Sequence, residues 1–424
     1  MINIRELERI ITDQAEELEI KRSKKYCRRM EQDLIDLDSP LAQVVIGVRR
    51  CGKSTMCFLA LEEAGVKFAY VNFDDERLAM LNTDDLDSVL ETLYKVYGNF
   101  SHLFLDEIQN IEGWHLFVNR LLRREMRIIV TGSNAKLLSG ELSTHLTGRH
   151  HSINLFPFSF REFCEYKGVE IHGISTQKIA SLRDAFDNYM SIGGFPQLSN
   201  VNNSRSYILD LTNSILKRDI EQRFKIRHTS NFERLAVHLM NISPAIVSTT
   251  NLMHDLKLGS ANTVQRYIDY ICQAYMLVPV HKYSNKSRQR LVNQKYYCID
   301  PALMDKRPDA FSGDNLGWRL ETIVFLELKR RSMLSDYDIY YLSESGRGEC
   351  DFVICKGNTT IEAIQVSYDI SNPKTLRREL NGLTRAAAIT GCRNLTLLTD
   401  HEYRDVDHEG LHIKIRPVYD WAIQ

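Results

Sequence analysis

The sequence predicts an α/β protein whose first block is a parallel sheet with crossover helices. Short apolar runs at residues 42–46, 68–73, 102–105 and 127–131 alternate with helix-length amphipathic segments, the order that parallel strands require. A glycine-bearing loop, Gly47 to Ser54, falls directly between the first run and the helix that follows it.

Before that block, residues 1–38 read as polar helix ending at Asp38-Ser39-Pro40, since proline disfavours helix in the residue before it. The first block, with this helix, covers 1–165. A helical stretch at 166–230 follows, interrupted by Gly193-Gly194-Phe195-Pro196 and by a charged run at 217–221, and is expected to form a lid. Residues 231–312 have three helical segments followed by apolar strands around a basic turn, the order of a winged helix. From 313 to 424 the pattern returns to α/β and predicts a further domain.

Composition bounds the function. With 424 residues and 43% hydrophobic content, two to four domains with their own cores are expected. Lys and Arg (54) nearly cancel Asp and Glu (55), so any basic surface must be local. The nine cysteines are scattered and never form CxxC, which argues against a disulfide framework or a zinc site and for a reducing cytoplasm. No apolar run approaches the ~18 residues a membrane span needs, so a soluble protein without export signal or membrane partner is expected.

The loop Gly47, Val48, Arg49, Arg50, Cys51, Gly52, Lys53, Ser54, followed by Thr55, fits GxxxxGK[ST]. Its glycines let backbone N–H groups and the next helix's N-terminus face the phosphates of ATP. Lys53 reaches the β and γ oxygens, and Ser54 offers its hydroxyl to Mg²⁺. Arg49 and Arg50 either add positive potential there or are solvated surface arginines. The run ending Leu105-Asp106-Glu107 supplies the second element: Asp106 for the metal shell through water, and Glu107 to polarise water against the γ-phosphate.

After the next strand come Thr131-Gly132-Ser133-Asn134. Ser133 or Asn134 is placed to sense the γ-phosphate, to orient the water, or simply to cap a helix. Arg149 follows, either as a transition-state cation from its own or a neighbouring subunit or as a surface ion pair.

These motifs, together with Asn72-Phe73-Asp74-Asp75-Glu76-Arg77, Ile108-Gln109, Leu155-Phe156-Pro157-Phe158-Ser159-Phe160-Arg161-Glu162-Phe163 and Gly193-Gly194-Phe195-Pro196, resemble a group of prokaryotic AAA-type P-loop ATPases. The resemblance covers most of the chain. It implies an AAA-like P-loop NTPase core with a helical lid, a winged helix and a C-terminal restriction-nuclease-like α/β domain. It also implies that Arg149 acts as an arginine finger, which requires a homo-oligomer.

Glu321, Asp351 and the strand 361–367 resemble the PD-(D/E)xK nuclease pattern, in which two carboxylates and a lysine surround Mg²⁺. Here Gln365 and Ser367 stand where Glu and Lys are expected. Glu362 cannot substitute because positions three apart on a strand face opposite ways. With the lysine absent, a binding or assembly role is expected over cleavage.

In the winged helix, Asn262, Thr263, Gln265 and Arg266 begin the recognition helix, and His281, Lys282, Lys286, Arg288 and Arg290 form the wing. Duplex DNA and subunit packing both fit. The leading expectation is Mg²⁺-dependent ATP hydrolysis coupled to motion. The alternatives are a nucleotide-gated DNA-binding regulator with slow hydrolysis and an active metal-dependent nuclease.

Overall fold

The first apolar runs become five strands, β1 (Ala42–Ile46), β2 (Phe68–Asn72), β3 (His102–Asp106), β4 (Arg127–Gly132) and β5 (His150–Asn154). In the computed structural model, which describes residues 3–133, 146, 148–173, 175–284, 293–304, 315–344 and 348–424, they form one parallel sheet in the order β2-β3-β4-β1-β5. Strands β1 and β3 are buried along their whole length, which is why they read as unbroken apolar runs rather than alternating ones. The pairings Asn72↔Asp106, Leu105↔Val130 and Val45↔Thr131 bring the carboxyl ends of these strands to one edge.

The N-terminal helix, Ile4–Arg22, is shorter than the 1–38 expected. Leu7, Ile10, Ile11, Gln14 and Leu18 make its buried stripe. Gln14 fastens it: its Nε2 donates to Asn72 O (3.1 Å) and Asp75 Oδ2 (3.1 Å). A short 3-10 turn, Met30–Leu34, leads on toward β1.

The described chain divides into two compact units, Met1–Leu155 and Phe156–Gln424. This is coarser than the boundaries expected at 165, 230 and 312. In the second unit, helices Phe160–Lys167, Thr176–Ile192 and Ser204–Ser214 precede three more, Thr229–Ile242, Thr249–Asp255 and Ala261–Gln273. Strands β6 (Ala245–Ile246), β7 (Leu277–Lys282) and β8 (Lys295–Cys298) pair antiparallel as β6·β8 and β7·β8. After helix Leu316–Ser335 come β9 (Asp338–Glu344), β10 (Gly348–Lys356) and β11 (Thr359–Val366). Helix Pro373–Thr390, β12 (Leu395–Thr399), β13 (Arg404–His408) and β14 (Leu411–Pro417) complete it.

Strands expected on either side of residue 313 share one nine-stranded sheet, β13-β14-β12-β11-β10-β9-β7-β8-β6. The join is parallel, His281↔Tyr340 and Lys282↔Tyr341.

Two sequence motifs with no assigned chemistry turn out to interlock in this unit. The Gly194 N–H donates to Asp300 Oδ2 (2.8 Å), and the Gly194 carbonyl accepts from the Phe158 N–H (2.7 Å). A Cβ at Gly194 would lie 2.3 Å from the Phe158 carbonyl oxygen, so only glycine fits. Tyr189 Oη donates to the Phe158 carbonyl (2.7 Å) and Arg330 to the Pro157 carbonyl (2.6 Å). Ser159 and Glu162 form a capping box that starts helix Phe160–Lys167. These contacts make the pair of motifs a folding lock.

Candidate nucleotide-binding site

The loop at the end of β1 is held open by its backbone. Gly47 has φ +155°, and a Cβ there would meet the Leu155 carbonyl oxygen at 2.2 Å. Leu155 donates its N–H to the Ile46 carbonyl (2.8 Å), so β5 and the loop are built against each other. Helix Lys53–Glu63 starts at Gly52 with no side chain capping it. Gly52 thus places no side chain over this N-terminus to compete with an anion. Cys51 is buried, and burial pushes its thiol up. Its carbonyl accepts from Arg29 Nη1 (2.9 Å), a buried arginine from the segment before β1.

Lys53 is also buried, 5% exposed, and its Nζ donates to the carbonyls of Gly47 (3.2 Å) and Val48 (3.2 Å). The same ammonium lies 3.8 Å from Glu107 Oε1. Ser54 Oγ donates to Asp106 Oδ1 (2.9 Å). Thr131 Oγ1 also donates to Asp106 Oδ1, and Tyr70 Oη donates to Oδ2 (3.1 Å). Burial raises the Asp106 carboxyl and the charge of Glu107 raises it further, against the hydrogen bonds from Thr131 and Ser54.

Glu107 adopts the left-handed conformation, φ 52°, which is unusual for a residue with a side chain. The Thr131 hydroxyl accepts its N–H (3.1 Å). Its Oε2 accepts from the Ser133 N–H (3.2 Å), the Ser133 hydroxyl (3.0 Å) and Gln109 Nε2. Burial pushes the Glu107 carboxyl up, but Lys53, Gln109 and Ser133 together outweigh it and hold the group below the ordinary glutamate range. It is therefore held as a charged carboxylate.

Among the described residues no group of three or more His, Cys, Asp or Glu could cage a metal. Mg²⁺ is usually held by one or two carboxylates with substrate phosphates and water. The adjoining Ser54 hydroxyl and Asp106 carboxylate fit such a shell.

The remaining expected residues are more dispersed. Thr55 is half-buried one step along the helix, Arg49 is half-buried with Nη1 3.7 Å from Asp74 Oδ2, and Arg50 is exposed. Asn134 lies outside the described residues. The Arg149 carbonyl accepts from the N–H of Ala42, the first residue of β1, whereas the phosphate loop follows the last. Five residues of strand span about 15 Å, longer than an arginine side chain. Arg149 is thus at the opposite sheet edge from its own phosphate loop, lining a groove with Asp84, Asp87, Arg120 and Arg123. Sequence reasoning missed Arg29, Tyr70 and the role of Thr131. Nothing local in the sequence marks Arg29 or Tyr70, which reach the loop and Asp106 only through the tertiary fold.

The second unit corrects one expectation. A lysine does meet the carboxylates of the C-terminal pattern, supplied by β8 rather than by the strand 361–367. Lys295 Nζ lies 2.7 Å from Glu321, 3.0 Å from Glu349 and 3.2 Å from Asp351. Burial alone would lower the Lys295 ammonium, but Glu321, Tyr297, Asp351 and Glu349 overcome this and hold it protonated. Gln365 accepts the Asp351 N–H (3.1 Å) and donates to Glu379 (2.7 Å), while Ser367 donates to the Asp369 carbonyl (3.3 Å). Glu362 turns instead to Thr396 (2.9 Å). Of the expected wing, Lys286, Arg288 and Arg290 lie outside the described residues. On helix Ala261–Gln273, Asn262 and Arg266 are exposed and Thr263 and Gln265 half-buried.

A parallel sheet whose first strand runs through a glycine loop into a helix, with a carboxylate pair ending the strand two places away, defines a P-loop nucleotide-binding fold. The profile described as an AAA domain matches residues 39–164, and one described as a domain of unknown function matches 183–307. The chain is 30% identical over 397 residues to the uncharacterized protein MJ1544 of Methanocaldococcus jannaschii, covering 90% of this chain and 88% of that one. It belongs to that protein's family. An uncharacterized protein of Haemophilus influenzae is 28% identical over 410 residues, covering 93% of this chain and 97% of its own. Among solved structures, the Walker-type ATPase PABY2304 of Pyrococcus abyssi matches at 15% identity with a TM-score of 0.42, over 67% of this chain and 96% of that one. No helix among the described residues is long and apolar enough to cross a membrane.

Proposed function

We propose that this chain binds ATP with Mg²⁺ and hydrolyses it to ADP and phosphate. The observation that carries the reading is the convergence of Lys53, Ser54, Asp106 and a charged Glu107 at one sheet edge. The loop 47–55 cradles the phosphates, and Lys53 exchanges two carbonyl partners for β and γ oxygens. Mg²⁺, held by Ser54 and Asp106, would neutralise charge on the β- and γ-phosphates. Glu107 takes a proton from water as the water oxygen bonds to the γ-phosphorus and the bond to the β-γ bridging oxygen breaks. Arg149 serves the site of a neighbouring copy, so the complete site needs a homo-oligomer, and Asn134 is assigned the role of sensing the γ-phosphate or orienting the water.

Lys53→Ala abolishes nucleotide binding on this reading, and Glu107→Gln binds ATP but turns it over only at a small residual rate. Wild-type turnover by Glu107→Gln sinks the assignment of the base.

We further propose that the cycle moves a lid (166–230) and a winged helix (231–312) in a soluble cytoplasmic protein, with duplex DNA as candidate partner. A nucleotide-gated DNA regulator with slow hydrolysis is distinguished by duplex affinity that depends on both ATP and salt. Lys295 favours one other reading, metal-dependent phosphodiester cleavage by the nuclease-like domain at 313–424. In the present arrangement its ammonium bridges Glu321 and Asp351, where a cation would have to sit. Mn²⁺- or Mg²⁺-dependent cutting lost in Asp351→Ala is the result that would establish cleavage.

A further inference from the structure

The turn after Glu107 is built in an unusual way. Left-handed Glu107 reverses the chain into the short 3-10 turn Ile108–Asn110, closed by the Asn110 N–H on the Glu107 carbonyl (3.1 Å). That reversal folds the side chain of Gln109 back onto the carboxylate two residues before it. A carboxylate only accepts, so the Gln109 nitrogen must face it, and the amide oxygen is left over. Among the described residues that oxygen is buried and has no hydrogen-bond partner, in a residue only 4% exposed. Folding alone rarely leaves half of a buried amide unused.

The donors are also distributed unevenly. Gln109 Nε2, the Ser133 N–H and the Ser133 hydroxyl all address Oε2 of Glu107, while Oε1 has Lys53 at 3.8 Å. We infer that Gln109 and Ser133 are positioning residues forming a clamp: they pin Oε2 so that Oε1 is the one oxygen of Glu107 presented to the attacking water. The inference rests on the reading of Glu107 as the base and names the groups that aim it. Ser133 is the strand-end residue tied to this task, and Gln109 belongs to it although it lies on no strand edge.

The test uses the full chain with Mg²⁺-ATP, measuring kcat, KM and affinity for a non-hydrolysable ATP analogue. Gln109→Met keeps the volume and removes the donor; Ser133→Ala removes the hydroxyl. Each is expected to lower kcat about tenfold to a hundredfold, the scale set by misaiming a reacting group, with analogue affinity and KM within about threefold of wild type. In a Glu107→Gln background, Gln109→Met is expected to add no further loss, because the clamp has nothing left to aim. Wild-type kcat in Gln109→Met overturns the clamp, as does a parallel loss of analogue binding. A further slowing of Glu107→Gln shows that Gln109 acts elsewhere and overturns it too. Failure of the underlying reading shows separately, as wild-type turnover by Glu107→Gln alone.

Discussion

Replacing Lys295 by Met tests whether its ammonium is what allows the carboxylates around it to be buried. Lys295 is 4% exposed, and Glu321, Glu349 and Asp351 lie within 3.2 Å of its Nζ. Methionine fills most of the volume, so the loss is electrostatic. Removing one member of a buried ion pair costs about 3–5 kcal/mol, and large units lose about 2–3 °C per kcal/mol. The transition of the second unit should therefore fall by about 6–15 °C.

The loss also has a pH signature. Even with Lys295 present, burial and Asp351 push the Glu321 carboxyl up to about 7; without Lys295 it rises further. A carboxyl raised above its unfolded value binds more protons folded than unfolded, so stability falls as pH rises between the two values. The deficit of Lys295→Met should be largest near about pH 8 and shrink toward about pH 5. Adding Glu321→Gln and Asp351→Asn should recover part of it. Differential scanning calorimetry across that range is the assay. A variant that melts with wild type, or whose deficit grows on acidification, would refute the electrostatic account.

Other expected outcomes follow from the same coordinates. Gly47→Ala forces a Cβ onto the Leu155 carbonyl, so nucleotide affinity measured by titration calorimetry should vanish; retained affinity would mean the loop tolerates a different path. Asp300→Ala strands the N–H groups of Gly194 and Ala302 and should cost about 2–4 kcal/mol in chemical denaturation. A silent variant would show that the 193–196 turn holds itself. Because Arg149 is remote from its own loop, Arg149→Ala and Lys53→Ala should each be inactive alone and regain partial turnover when mixed. No recovery on mixing would remove the shared site.

The phosphate loop and the Asp106-Glu107 pair were legible because their geometry is local: a strand, a turn and a helix start within a few residues. Tyr70 and Arg29 were not, since each reaches the site by strand order or chain path rather than spacing. Lys295 shows the same limit more sharply. The C-terminal pattern places a lysine along 361–367, where there is none, whereas Lys295, on β8 and 56 residues before Asp351, meets the carboxylates. For Arg149, the sequence left its own and a neighbouring site open, and the pairing of β5 beside β1 removes the first. Asn134 lies outside the described residues.

The parallel join of β7 to β9 has a mechanical meaning. The strand that follows helix Ala261–Gln273 is a rung of the same ladder that carries Asp351 on β10. Backbone hydrogen bonds across a ladder resist shear far better than a linker does, so a load on that helix is passed to the far strands as a displacement of the whole plate. The strands on either side of residue 313 are therefore tied by a backbone ladder and not by a linker alone.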